Sequence, residues 1–186
     1  MNESLLSSID NRGRPPKKWL EELISWAATE NMAVFEPNDR FDIYNVVADQ
    51  LGPYLSIWQR RAVMCEVLRV LAGFESSWNW NEDYDVANPR EDNDVTKSAG
   101  AFQVSADSMA LHRSLAEFAH ASGVVTAEDF RSLMMSNHAF ACGYTARLLR
   151  ITTRHHGPVR DRRINPWLSR KAVAAFVDAL APKIPA

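Results

Sequence analysis

Between Gln59 and Phe74, apolar residues return at helical spacing: Val63, Val67, Val70, Leu71 and Phe74 share a face, with Arg69 on the far side and Glu66 at its edge. So long a one-sided helix must bury its stripe against other elements, and the architecture is expected to be predominantly α-helical. Glu75 ends this helix and opens the string Glu75-Ser76-Ser77-Trp78-Asn79. A turn of about 100° per residue sets it beside Met64, Leu68 and Leu71. A carboxyl on an apolar face is desolvated, and the negative end of the helix dipole further disfavours its charge. Both effects are expected to keep the proton on. A protonated carboxyl near neutral pH is what a glycosidase uses to protonate a departing glycosidic oxygen. The plainer alternative is an ordinary glutamate at a fraying helix end.

The 186 residues suit one domain with a small appendage and can bury a sizeable core. A formal net charge of -2 fits neither a general nucleic-acid binder nor an acidic-tail protein. No apolar run has the length of a membrane span. The N-terminus as far as Arg14 is polar apart from Met1, Leu5, Leu6 and Ile9, and lacks the apolar core of a secretory signal. Cys65 and Cys142 lie in apolar helical stretches without metal-ligand spacing. Buried free thiols are expected, with a single disulfide as the alternative.

Residues 1–57 are expected to form a helical extension packed on the body, and residues 58–186 the main domain. In the first, a linker-like Asn11-Arg12-Gly13-Arg14-Pro15-Pro16 precedes Trp19, Leu20, Leu23, Ile24 and Ala27 at helical spacing. A second amphipathic stretch runs from Phe41 to Leu51 and ends at Gly52-Pro53. From Asn79 to Ser98 periodicity disappears. Glu82, Asp83, Asp85, Glu91, Asp92 and Asp94 crowd around Asn88-Pro89 with Arg90 among them, which predicts a loop; a short β-hairpin is allowed for within 79–104. Helical patterns resume over Ser105–Ser122, from a Thr126-Ala127-Glu128-Asp129 start, over Ser136–Arg150 and over Leu168–Leu180. A basic turn with His155-His156-Gly157-Pro158 precedes the last of these.

With these residues placed, the chain resembles the lysozyme-like superfamily, specifically soluble lytic transglycosylases and goose-type lysozymes. Those families close a helix with the catalytic glutamate in a Glu-Ser-x-Trp-Asn-like string, here Glu75-Ser76-Ser77-Trp78-Asn79. Their Gly-Leu-Met-Gln-like turn is similar to Gly100-Ala101-Phe102-Gln103. Their Asn-Ile-x-x-Gly-x-x-Tyr helix resembles Asn137 to Tyr144, with Ala141 in place of the glycine, and their Tyr-Asn-Ala-Gly-Pro turn resembles Arg154 to Pro158. The likeness spans Gln59 to Ala181 and leaves the preceding segment unaccounted for. Three departures stand out. The stretch between Glu75 and Gln103 is longer than the transglycosylases usually have, and Arg154 and His155 replace an aromatic-amide pair that helps hold substrate. Ser105 stands where goose-type enzymes carry an aspartate after their Gln-Val, while Asp94 matches another of their candidate acids.

The resemblance implies cleavage of the β-1,4-linked GlcNAc and MurNAc strand of peptidoglycan, by a muramidase, a lytic transglycosylase or an N-acetylglucosaminidase, with Glu75 as acid. Inverting hydrolysis needs a second carboxylate about 6.5–9.5 Å away; Asp94 is the first candidate, with Asp92 and Asp85 behind it. A lytic transglycosylase needs none, because the muramic 6-hydroxyl attacks and the same glutamate takes its proton. Gln103, with Ser98 behind it, is expected to line the cleft, and Tyr144 either to orient Glu75 through its hydroxyl or to sit in the core. Trp78 is expected as a sugar platform or a cleft-wall and core anchor; Trp80 is a further aromatic that can stack on a sugar face. His155, in a basic strip with His156, Arg154, Arg160, Arg162 and Arg163, is a candidate for the peptide carboxylates, against solvated charge as the alternative. No cofactor or metal is expected: Asp92 and Asp94 lack calcium-loop spacing, and adjacent histidines lack a third ligand.

A non-catalytic glycan-binding module is the main rival reading; a nucleic-acid binder fits the charge poorly. Without a secretory signal, a cell-wall enzyme made in the cytoplasm would reach the periplasm as a phage-type lysin or through a dedicated machine. The chain resembles small type VI secretion effectors that cut peptidoglycan. That implies an antibacterial toxin acting in the target periplasm, and an immunity protein that occludes the Glu75 cleft.

Overall fold

The computed structural model describes residues 1–84 and 93–181. Asp85, Glu91 and Asp92 lie outside the described residues. The chain is mainly α-helical, with one two-stranded antiparallel sheet among the described residues. Its helices are α1 (Lys17–Thr29), α2 (Ile43–Val46), α3 (Ala48–Leu51), α4 (Ile57–Ser76), α5 (Arg113–Ala121), α6 (Ala127–Ser136), α7 (His138–Ile151), α8 (Gly157–Arg160) and α9 (Arg170–Leu180). Short 3-10 turns interleave them, and β1 (Ser98–Ala99) pairs with β2 (Val104–Ser105) in the register Ser98 to Ser105 and Ala99 to Val104.

Local chemistry sets most boundaries. The Ser56 hydroxyl accepts from Gln59 N–H and starts α4; at α6, whose start the sequence sets at Thr126-Ala127-Glu128-Asp129, Thr126 and Asp129 form a reciprocal capping box. Elsewhere the predicted helices are cut shorter. The Phe41–Leu51 stretch is two single-turn helices, α2 opened by an Asp42–Asn45 capping box and α3 following Val47. Ser105–Ser122 is a 3-10 turn over Ala106–Leu111 and then α5, because extended His112 caps Ser114 N–H with its ring. Asn137 separates α6 from α7 in the same way, accepting from Phe140 N–H.

The largest departure concerns α4. Rather than burying one stripe, it is buried continuously from Arg60 to Phe74, packed by α1, α7, α8 and α9. Arg69, expected on the far side, and Glu66, expected at the edge, have fully buried side chains. They are affordable there only because they pair: Arg69 Nε donates to Glu66 Oε2 at 2.7 Å and Nη2 to Oε1 at 2.8 Å. Arg69 Nη1 also donates to the Ser7 carbonyl at 3.1 Å, while Ser169 N–H donates to Glu66 Oε1 at 2.9 Å. Burial pushes the Glu66 carboxyl up, and the arginine and the Ser169 amide oppose it.

The N-terminal segment shares the same core. Leu5, Leu6, Ile9, Trp19, Leu20 and Leu23 are buried with residues of α4, α7 and α9. Trp80, just after α4, is stacked between Trp19 (5.3 Å) and His138 (4.2 Å). Glu22 Oε2 accepts from Trp80 Nε1 at 2.7 Å and lies 2.9 Å from His138 Nδ1. Cys65 and Cys142 are buried free thiols, and burial raises both.

Arg69→Met alone strands the Glu66 charge and should cost about 3–5 kcal/mol, whereas Glu66→Leu combined with Arg69→Met should recover most of that loss. Urea unfolding of the three proteins checks this, and equal losses in the single and double variants would contradict it.

Candidate functional site

The site begins where α4 stops. Ser77 (φ 55°) and Trp78 (φ 62°) both take the left-handed conformation, and their N–H groups return to Gly73 and Ala72 carbonyls at 3.2 and 3.1 Å. This reversal folds the Trp78 ring onto the helix. A Cβ on Gly73 would lie 2.8 Å from Trp78 Cζ2, so a glycine is what admits the ring. Trp78 Nε1 donates to the Arg69 carbonyl at 2.8 Å, and the residue is buried. Trp78 is therefore a core anchor that fixes the helix end; as a sugar platform it is corrected. Trp80 is likewise covered, by Trp19 and His138.

Glu75, in the last turn of α4, keeps 19% of its side chain exposed. Its Oε1 lies 3.3 Å from Nδ1 of His156, whose side chain is almost wholly buried. Nε2 of the same ring is buried without a hydrogen-bond partner. His156 is the residue before α8, and its carbonyl accepts from Val159 and Arg160 N–H, so the backbone that carries the ring is fixed. The sequence directed attention to His155 rather than His156. His155 instead packs edge-on against the His156 ring at 5.1 Å. Burial first, then the neighbouring His156, lowers His155 to about 4, while Asp107 opposes the shift. A ring so shifted would meet carboxylates by hydrogen bonding rather than by charge.

A second layer ties the glycine turn to the helix end. Ser76 Oγ donates to the Ala101 carbonyl at 2.9 Å, and Gly100 N–H to the Glu82 carbonyl at 2.8 Å. Gly100 has φ 73°, and a Cβ there would collide with the Met134 carbonyl, so conformation and space both demand glycine. Gln103 (φ 47°) turns its side chain into this hairpin: Nε2 donates to the carbonyls of Gly100 (3.1 Å) and Glu82 (3.3 Å), and Oε1 accepts from Ser98 Oγ at 2.9 Å. Ser98 and Gln103 thus brace the turn with the groups proposed for substrate. Tyr144 does not reach for Glu75. Its hydroxyl is 2.8 Å from Ser108 Oγ, which donates to the Ser105 carbonyl at 2.7 Å; the tyrosine is therefore the donor, in a chain that anchors the end of the hairpin.

Asp94 is exposed and paired with Lys97 at 2.7 Å, which holds its carboxyl below the ordinary range. Asp107, which the sequence reading passed over, accepts from Ser105 Oγ at 2.5 Å and acts on His155. The available signal for it was its place two residues after Ser105, the position at which goose-type lysozymes carry an aspartate. Among the described residues no group of three or more His, Cys, Asp or Glu side chains could hold a metal ion, and no helix is long and apolar enough to cross a membrane. Compared with protein-family models, with curated proteins and with solved structures, the chain matches none.

The lowered His155 has a stability consequence. Between about 4 and the ordinary 6.5 the unfolded chain binds more protons at this ring than the folded one, so the stability it contributes is present above 6.5 and is lost as pH falls through 4. In thermal melts over that window, His155→Gln should show a shallower fall in Tm than wild type; identical slopes would refute the assignment.

Proposed function

We propose that the protein is a peptidoglycan glycosidase of lysozyme-like fold, with Glu75 as its general acid. The observation that carries this reading is a part-buried carboxyl closing a buried helix, set beside a buried imidazole and joined through Ser76 to the Gly100–Gln103 turn. The order of Glu75-Ser76-Ser77-Trp78-Asn79, the glycine turn and the Gly157-Pro158 turn supports the same assignment. Glu75 would donate its proton to the glycosidic oxygen as the bond breaks and an oxocarbenium-like centre develops. The oxygen leaves as a hydroxyl, and Glu75 is left as a carboxylate.

How that centre is quenched depends on a base. Asp94, engaged by Lys97 and exposed, is poorly prepared to activate water. Asp85 and Asp92 lie outside the described residues, so the reading put to the test first is lytic transglycosylation, which needs no such base: the muramic 6-hydroxyl attacks intramolecularly and returns its proton to Glu75. The test is mass spectrometry of peptidoglycan digested by wild type and by Glu75→Gln. Anhydro-muramic ends are expected from wild type, and a loss of about 10²–10⁴-fold in the variant. Reducing muramic or glucosamine ends would instead name a muramidase or a glucosaminidase. Wall pelleting without cleavage by wild type would favour a binding module.

The resemblance to small type VI effectors supports the further reading of an antibacterial toxin with a periplasmic immunity protein. Directed to the periplasm of a bacterium that lacks any such partner, the wild type should arrest growth and Glu75→Gln should not. Normal growth with both would remove the toxin reading.

A further inference from the structure

From the placement of one ring we infer that His156 is the positioning residue of the acid: carrying its proton on Nδ1, it donates to Glu75 Oε1, so that the proton to be transferred sits on Oε2. This rests on the glycosidase reading for its catalytic half, and for the hydrogen bond on the 3.3 Å approach of Nδ1 to Oε1 together with the unpartnered Nε2.

The argument starts from Nε2. That atom is buried and without a partner, while Nδ1 faces the Glu75 carboxyl at 3.3 Å. A buried N–H with no acceptor is costlier than a bare ring nitrogen, because the donor loses a strong hydrogen bond to water and gains nothing. Of the two neutral tautomers, only the one protonated at Nδ1 leaves Nε2 bare and gives the proton an acceptor. An imidazolium would again strand an N–H at Nε2. Glu75 from α4 and His155 from its own turn face the ring, and Asp107 acts on His155 in turn.

The consequence for catalysis follows from charge. With Oε1 occupied as an acceptor, the acid proton is confined to Oε2. When Oε2–H gives that proton to the leaving oxygen, the carboxylate becomes fully charged, and the Nδ1–H hydrogen bond strengthens as the charge develops. The interaction thus lowers the barrier more than it stabilises bound substrate. The ring is almost wholly buried on a backbone fixed at the start of α8, and this burial keeps the donor aimed.

The experiment has two arms on the full-length chain. In the first, long-range proton–nitrogen spectra of protein labelled at histidine nitrogens, with His156 assigned by its disappearance in His156→Asn, should show the Nδ1–H tautomer at neutral pH. Glu75→Gln should change that signal. The Nε2–H tautomer, or an imidazolium, would overturn the inference whether or not the protein cuts glycan. In the second, His156→Leu should lower kcat about 10²-fold with KM within about threefold, while His156→Asn, whose amide nitrogen can occupy the place of Nδ1, should recover most of the loss. Wild-type kcat in a folded His156→Leu protein, or no rescue by a folded asparagine variant, would overturn the catalytic half. If the leucine variant fails to fold, the asparagine variant and the tautomer measurement decide. A wild type that releases no glycan fragments sinks the glycosidase reading and the catalytic half with it, while the tautomer result still settles whether His156 donates to Glu75.

Discussion

The buried Glu66–Arg69 pair is the constraint on which the rest of the molecule hangs. α4 carries four buried charged side chains, Arg60, Arg61, Glu66 and Arg69, and this pair draws its further partners from distant parts of the chain: the Ser7 carbonyl and the Ser169 amide. The same turn of helix offers its Arg69 carbonyl to Trp78. One segment of α4 therefore collects the N-terminus, the start of α9 and the chain just past Glu75. Apolar packing supplies most of the driving force, as in any such core, but it is non-directional. The ion pair and its satellites are directional, and they set which elements lie where around the helix.

This arrangement shows what a helix end offers a carboxyl proposed as an acid. Inside α4 a carboxylate would need a permanent partner like Arg69, and would then be neutralised as a reagent. One residue past Phe74 the enclosure opens on one side, leaving Glu75 partly shielded and partly reachable. Trp78 closes the helix from below, Ser76 joins it to the glycine turn, and Tyr144 secures that turn from the opposite side through Ser108. Residues that look like substrate contacts in the sequence turn out to be struts for one carboxyl group.

The sequence made the helical character, the end of α4 at the glutamate and the start of α6 legible, because periodicity and capping are local. Thr126 and Asp129 lie on either side of the first turn they cap, and nothing distant can change that. What it left obscure depends on long-range packing. A 3.6-residue pattern assumes one wet face, and Arg69 reads as exposed only because the sequence does not announce that Ser7 will cover it. His155 and His156 are chemically equal neighbours in an aperiodic turn, and one residue's difference in direction decides which meets Glu75. Tyr144 stood on the expected helix, but its hydroxyl found a nearer serine.

The stack of Trp19, Trp80 and His138, with Glu22 bridging the latter two, carries a further consequence for how this chain can be dissected or rearranged. A cut at residue 57 passes through no interdomain hinge. It removes Glu22 and Trp19, and with them one face of Trp80 and the acceptor of its indole, five residues from Glu75. Homologous recombination or engineering that exchanged the first helix as a cassette would have to bring a matching carboxylate and indole, because the leading segment acts as the keystone of the loop that follows Glu75 rather than as an attachment to it.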